Sequence, residues 1–260
     1  AAPNARWVAA LADAGGRLGR ADWIARAREA LGTLLDVLAA PGDLLHHARL
    51  PGGEALLPGL LDDSVATARA ALAVAQATGE EAPLAHARRL LAGAQAALWA
   101  DDGGFWDHVR TVDDVGALRY RERPFHGNAA AARLLLELSF ATGDRGYRAM
   151  AERILALLSP VAERYGPDAA PIALAVEAFF APPVRIFLVG SPEASAELRR
   201  AALSLPDPER LVWTLPRGGR LGTLFFDPRH APAAFVCGAR DCSPPVREPG
   251  RLAEIAHAAH

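Results

Sequence analysis

Two carboxylates stand side by side in the run Gly59-Leu60-Leu61-Asp62-Asp63-Ser64. In a shared funnel, adjacent carboxylates raise one another's pKa, which suits Asp62 or Asp63 to general acid or base work. At the start of a helix the same pair would instead cap free N–H groups and meet the positive dipole end. Trp106, Asp107 and His108 follow one another, with Trp99 shortly before. An aromatic platform beside a carboxylate suits a sugar ring, and Trp is equally a large apolar anchor. His126-Gly127-Asn128 opens an apolar run, where Asn128 is placed either to bind a sugar hydroxyl or to cap a helix. His46 and His47 occupy consecutive strand positions and face opposite sides, which argues against a shared metal. Cys237 and Cys242 enclose a short loop. They form a disulfide if their Cα atoms approach within about 7 Å. A redox pair and half a zinc site with His230 are alternatives, although the spacing is not that of a zinc knuckle. Free or reversibly bonded thiols are the first reading.

Other chemistries lack their signatures. The chain has no phosphate-binding Walker loop, dinucleotide glycine fingerprint, His-Glu-x-x-His or Gly-x-Ser-x-Gly motif. Gly218-Gly219-Arg220-Leu221-Gly222 reads as a turn. No cofactor and no metal are expected. The net charge of −2 over 260 residues gives no basic field for nucleic acid or an acidic membrane. No apolar run reaches the roughly 18 residues of a membrane span. Two cysteines in this length fit a cytoplasmic protein better than a disulfide scaffold. All 28 basic residues are Arg, and Asn occurs only at positions 4 and 128. That bias is typical of a GC-rich bacterial genome.

A repeat must position these residues. Gly19, Gly79 and Gly143 each end an apolar helix and begin a short turn. Ala27, Arg28 and Leu31 recur as Ala87, Arg88 and Leu91, then as Ala151, Glu152 and Leu155. Such self-similarity predicts an array of equivalent helical hairpins. First helices are expected near 4–18, 59–77 and 127–142, and second helices near 21–39, 83–99 and 145–158. A seventh is expected near 168–180, ended by Pro182-Pro183. Short rim hairpins are expected at 43–50 and at 103–109 with 118–121. After residue 181 the composition changes to strand-forming runs at 184–190, 210–214 and 233–237, a helix opening at Ser191 and a closing helix over 249–260. The expected fold is mainly α: α/α hairpins forming a partial six-hairpin toroid over 1–181, then a small α/β unit over 182–260.

Gly59 to Ala66, Gly127-Asn128, the Ala141–Tyr147 turn and the tail from Pro182 to Gly190 with Cys237, Cys242 and Pro244-Pro245-Val246 resemble one family. It is the thioredoxin-domain-containing six-hairpin-barrel family, which includes bacterial YyaL-like proteins and a spermatogenesis-associated animal protein. The resemblance implies a barrel like those of glycosidases and sugar epimerases, with polar groups in a central funnel. His126 and Ala129 depart from the hydroxyl residues usual beside the Gly-Asn pair. The family's thioredoxin-like domain has no counterpart here, and about seven helices fall short of the twelve in a closed barrel. The resemblance therefore implies a complementary N-terminal portion or a homo-oligomer, with a small sugar-like ligand as a further partner. Two functions follow: a carbohydrate-acting or carbohydrate-binding toroid, or a non-catalytic scaffold serving a redox or protein-quality role. If Asp62, Asp63, Asn128 and Trp106 line one pocket, the first gains; if they scatter or are buried as caps, the second gains.

Overall fold

The computed structural model describes residues 1–258 except 113, 207–209, 222–223 and 239–240. The middle of the Cys237–Cys242 loop, the last glycine of the 218–222 run and the end of the expected closing helix lie outside these.

Three antiparallel hairpins form the array: α1 (Ala2–Leu18) with α2 (Ala21–Val37), α3 (Leu61–Thr78) with α4 (Glu81–Leu98), and α5 (Phe125–Thr142) with α6 (Arg145–Leu158). Each first helix ends in a left-handed glycine with φ between 66° and 73°, at Gly19, Gly79 and Gly143. Only glycine takes that conformation without a Cβ penalty, and it reverses the chain within two residues. α1, α3 and α5 pack side by side as an inner layer, continued by α7 (Ala170–Phe180) against α5, with α2, α4 and α6 outside. α3 is apolar almost all round and buried along nearly its whole length, as a helix covered on several sides must be. Its Ala68, Ala70, Ala71 and Ala75 are essentially inaccessible, so alanine here lets backbones approach closely. Residues 127–158 contain no strand.

The rim at the inner helix starts carries β1 (Ala39–Ala40), β2 (Leu44–Arg49) and β3 (Ala55–Pro58), an antiparallel sheet in the order β1-β2-β3. The second expected rim hairpin does not form. Residues 103–109 make only single bridges, Trp99 to Phe105 and Leu60 to His108, and residues 116–119 make a 3-10 turn. A side chain of α5 takes hydrogen bonds that a paired strand would have made.

In the tail, β4 (Arg185–Val189) lies between β5 (Leu211–Leu215), parallel to it, and β8 (Ala233–Cys237), antiparallel. Alternation along β4 separates two cores. Phe187 and Val189 join the core of the array, whereas Ile186 and Leu188 pack under α8 (Ala196–Ser204) and α9 (Leu252–Ala258). The helix expected to open at Ser191 begins five residues later, after a turn. The glycine run read as a turn instead supplies β6 (Gly219–Leu221), paired with β7 (Leu224–Phe226).

Candidate functional site

Asp62 and Asp63 fall in the first turn of α3, as a helix-start reading requires, yet neither caps that helix. Helical spacing turns adjacent residues 100° apart, and here it separates the pair. Asp63 is fully buried. Its Oδ1 accepts the backbone N–H of Ala2 at 2.7 Å, and its Oδ2 meets His47 Nδ1 at 2.9 Å. Ala2 is the first residue of α1, so Asp63 satisfies an orphan N–H of the neighbouring helix rather than of its own. Asp62 is exposed and pairs with Arg6 of α1. The two carboxylates therefore do not share a proton or a substrate position.

Asn128 is fully buried in the first turn of α5. Its Oδ1 accepts the Phe105 N–H at 2.7 Å, and its Nδ2 donates to the carbonyls of Phe105 and Pro124, both at 3.0 Å. The carboxamide thus stands in for a paired strand and clips the 99–106 segment onto α5. This removes the partner that the second rim hairpin needed, and it leaves no polar atom of Asn128 turned to a ligand.

Trp106 is half-buried, with two guanidiniums over its ring, Arg121 at 4.8 Å and Arg123 at 5.3 Å from the centroid. A ring covered by cations is not an open sugar platform. Asp107 accepts the Glu122 N–H at 3.0 Å and pairs with His108 at 3.0 Å. His108 in turn meets the Leu118 carbonyl at 2.8 Å, which closes the long rim loop. His126 is exposed beside Phe125 and Tyr165, whose rings stack at 3.8 Å.

A second polar region lies on the face that α3 leaves uncovered. Asp62, Arg69 and Gln76 recur there at seven-residue spacing, one stripe of the helix. Arg69 pairs with Glu137 of α5 at 2.5 Å. Asp13, Arg17, Arg69, Gln76, Glu137 and the tail's Arg199 converge on a cleft of about 110 Å³. The Asp13 side chain keeps some access to solvent, but the walls displace much of its water, and desolvation holds its carboxyl above the ordinary value against the pull of Arg69. Desolvation likewise lowers the Arg199 pKa, against Asp13, while Arg199 donates to Thr214.

Cys237 and Cys242 form a disulfide, with Cα atoms 3.9 Å apart, so both sulfurs sit together on the antiparallel bridge that these residues make. The structure therefore holds the bonded form of the pair rather than free thiols.

The segments that carry the predicted residues meet at the rim, where Leu61 donates to the Asp107 carbonyl and Asn128 holds Phe105, but Asp63 and Asn128 spend their polar atoms on backbone there. None of four cavities formed by the described residues is lined by Asp62, Asp63, Asn128 or Trp106. His47 as the partner of Asp63 went unread, because strand alternation says which side a residue faces and not what it meets. Asp13, Arg69 and Glu137 were also missed; the polar stripe they occupy was legible as interruptions of apolar helices at seven- and four-residue spacing.

Among the described residues no helix is long and apolar enough to cross a membrane. No family model matches the chain, and no curated protein is similar to it. Among solved structures, the GH76 α-mannanase of Bacteroides thetaiotaomicron, a selenomethionine derivative, is similar with a TM-score of 0.51 and 16% sequence identity. The likeness covers 85% of this chain and 62% of the mannanase chain, so this chain spans less than two thirds of that protein's length. At that identity the likeness is one of fold: the helical hairpins form an α/α toroid-like array.

Proposed function

We propose that this chain is a non-catalytic portion of an α/α toroid that works by assembling with a partner. One observation carries the reading: Asp63 and Asn128 hold backbone of neighbouring segments, Asp62 pairs with Arg6, Trp106 lies under two guanidiniums, and none of these four lines any of four cavities formed by the described residues. A thioredoxin-like partner, as in the six-hairpin family the sequence resembles, is the finer form of this proposal. The Cys237–Cys242 bond, closing a short loop of little entropic value, suits reversible thiol chemistry with such a partner.

A second reading has its own support. The cleft of Asp13, Arg69, Gln76 and Glu137 offers carboxylates, a guanidinium and an amide, a set able to hydrogen-bond sugar hydroxyls. The fold likeness to a mannanase makes α-mannan oligosaccharides the natural probes. Melting curves with and without these oligosaccharides, alongside a reducing-sugar release assay, separate the two readings. The scaffold reading expects no sugar-dependent shift and no release. A saturable shift that Asp13→Asn abolishes would replace it with the carbohydrate reading.

A further inference from the structure

The backbone around Cys237 and Cys242 is closed without the sulfurs. Segment 242–246 lies antiparallel to β8, on the edge away from β4. Ser243 donates its N–H to the Val236 carbonyl at 2.7 Å, and its Oγ accepts the Val236 N–H at 3.1 Å. Ala234 and Val246 exchange two hydrogen bonds of 2.8 Å, and the Gly238 N–H meets the Asp241 carbonyl at 3.0 Å. The cysteines are five residues apart, so their bond constrains the unfolded chain little. With the bond broken, this pairing still holds the two thiols together, placed to re-form it.

The two cysteines stand in unlike surroundings. Cys237 is fully buried and belongs to the core of the array, whereas Cys242 is exposed. An incoming thiolate therefore reaches Cys242, and the sulfur it displaces is that of Cys237. Arg185 of β4 lies directly across from Cys237, and side chains opposed in this way rise on the same face of a sheet. That face is turned to the array, where the guanidinium lies 6.0 Å from the ring of Phe140 in α5. The guanidinium donates to the carbonyl of Gly238, the residue after Cys237. Its Nε is buried with no hydrogen-bond partner, and no carboxylate pairs with it among the described residues. Burial holds its pKa below the ordinary value. A half-buried cation without a counter-anion, next to a buried sulfur, favours a thiolate there.

We infer that Cys237–Cys242 is an exchange site for dithiols, in which Arg185 is a positioning residue that stabilises the departing Cys237 sulfur. One thiol of the dithiol loses its proton to water and attacks Sγ of Cys242. The bond between the two cysteines breaks, its electron pair leaves on Sγ of Cys237, and a mixed disulfide forms at Cys242. The second thiol, deprotonated in turn, attacks its partner sulfur in that mixed disulfide and displaces Cys242 as a thiolate. The dithiol ends as a cyclic disulfide, two electrons have passed to the chain, and the two cysteines take up two protons. This deepens the thiol chemistry of the scaffold reading, on which it rests, by naming the reductant class, the sulfur attacked and the residue beside the leaving sulfur.

The oxidised full chain is treated with dithiothreitol without denaturant, and its thiols are counted over time. Two thiols should appear while circular dichroism shows unchanged helix content. Brief treatment with mercaptoethanol, quenched in acid and followed by alkylation, should leave the adduct on Cys242 and the alkyl group on Cys237, read by peptide mass. Arg185→Met should slow reduction about tenfold, and Arg185→Lys, which keeps the charge, should restore most of the rate. A bond that yields only once urea unfolds the chain, an adduct on Cys237, or equal rates in the parent and Arg185→Met overturns the proposal. Arg185→Lys as slow as Arg185→Met overturns the role of the charge. If Arg185→Met does not fold, the adduct map of the parent chain and the rate of Arg185→Lys decide. A melting shift with sugar counts against the scaffold reading and leaves these rates unchanged, so the two failures are distinguishable.

Discussion

The rim and the charged cleft use polar residues in opposite ways. At the rim, Asp63 and Asn128 are fully buried and hold backbone groups of another segment. In the cleft, Arg69 and Glu137 pair side chain to side chain, with Arg69 46% exposed. A buried backbone group that loses its partner keeps its full desolvation penalty, whereas an ion pair with one partly exposed partner, Arg69 here against Glu137 at 14% exposure, has some water to fall back on. Rim polarity thus serves architecture, and cleft polarity remains exchangeable.

The contrast predicts an ordered series of effects. Asn128→Ala should be the most damaging, costing about 3–5 kcal/mol by chemical denaturation, since three hydrogen bonds go and Phe105 is left with a buried unpaired N–H. Asp63→Ala should cost about 2 kcal/mol, because the Ala2 N–H at the start of α1 loses its acceptor. If Asp63→Ala melted like the parent, the rim would not be architectural and the contrast would collapse. Arg69→Met should cost less than Asn128→Ala, about 1–2 kcal/mol, because the half-exposed guanidinium gives up little while Glu137, 14% exposed, loses a counter-charge. A loss as large as that of Asn128→Ala would show that the cleft holds the fold together as firmly as the rim does.

The smallest effect is one of pH. Asp13 holds its proton to a higher pH when folded than its ordinary 3.8. Between those two values the folded state binds more protons than the unfolded, so stability contributed at Asp13 falls as pH rises through that window. Asp13→Asn should flatten this part of the stability profile. An unchanged slope would mean that water reaches Asp13 freely in the cleft.

How much of this was legible in the sequence follows from what each signal depends on. The hairpins were readable because Gly19, Gly79 and Gly143 punctuate them and Leu31, Leu91 and Leu155 repeat, both local features. The tail strands were readable from their β-branched and apolar runs. The second rim hairpin was misread because a side chain, Asn128, took the place of a strand partner, and no pattern in 103–121 announces that. The short β6–β7 pair was missed because glycine opens its first strand and masks the strand pattern. At the candidate site, Asp62-Asp63 was correctly placed at a helix start. That Asp63 serves α1 and Asp62 pairs with Arg6 depends on how α1 lies against α3, which local sequence does not specify.

The two asparagines test the central claim most directly. Asn128 holds the backbone of Phe105, whereas Asn4, at the equivalent position of the first helix, is exposed. Urea denaturation of Asn128→Ala and Asn4→Ala, compared with the parent chain, should show a loss of about 3 kcal/mol or more for the first and within about 0.5 kcal/mol for the second. Equal losses, or a stable Asn128→Ala, would contradict the account, because rim polarity would then not act through the backbone that Asn128 holds.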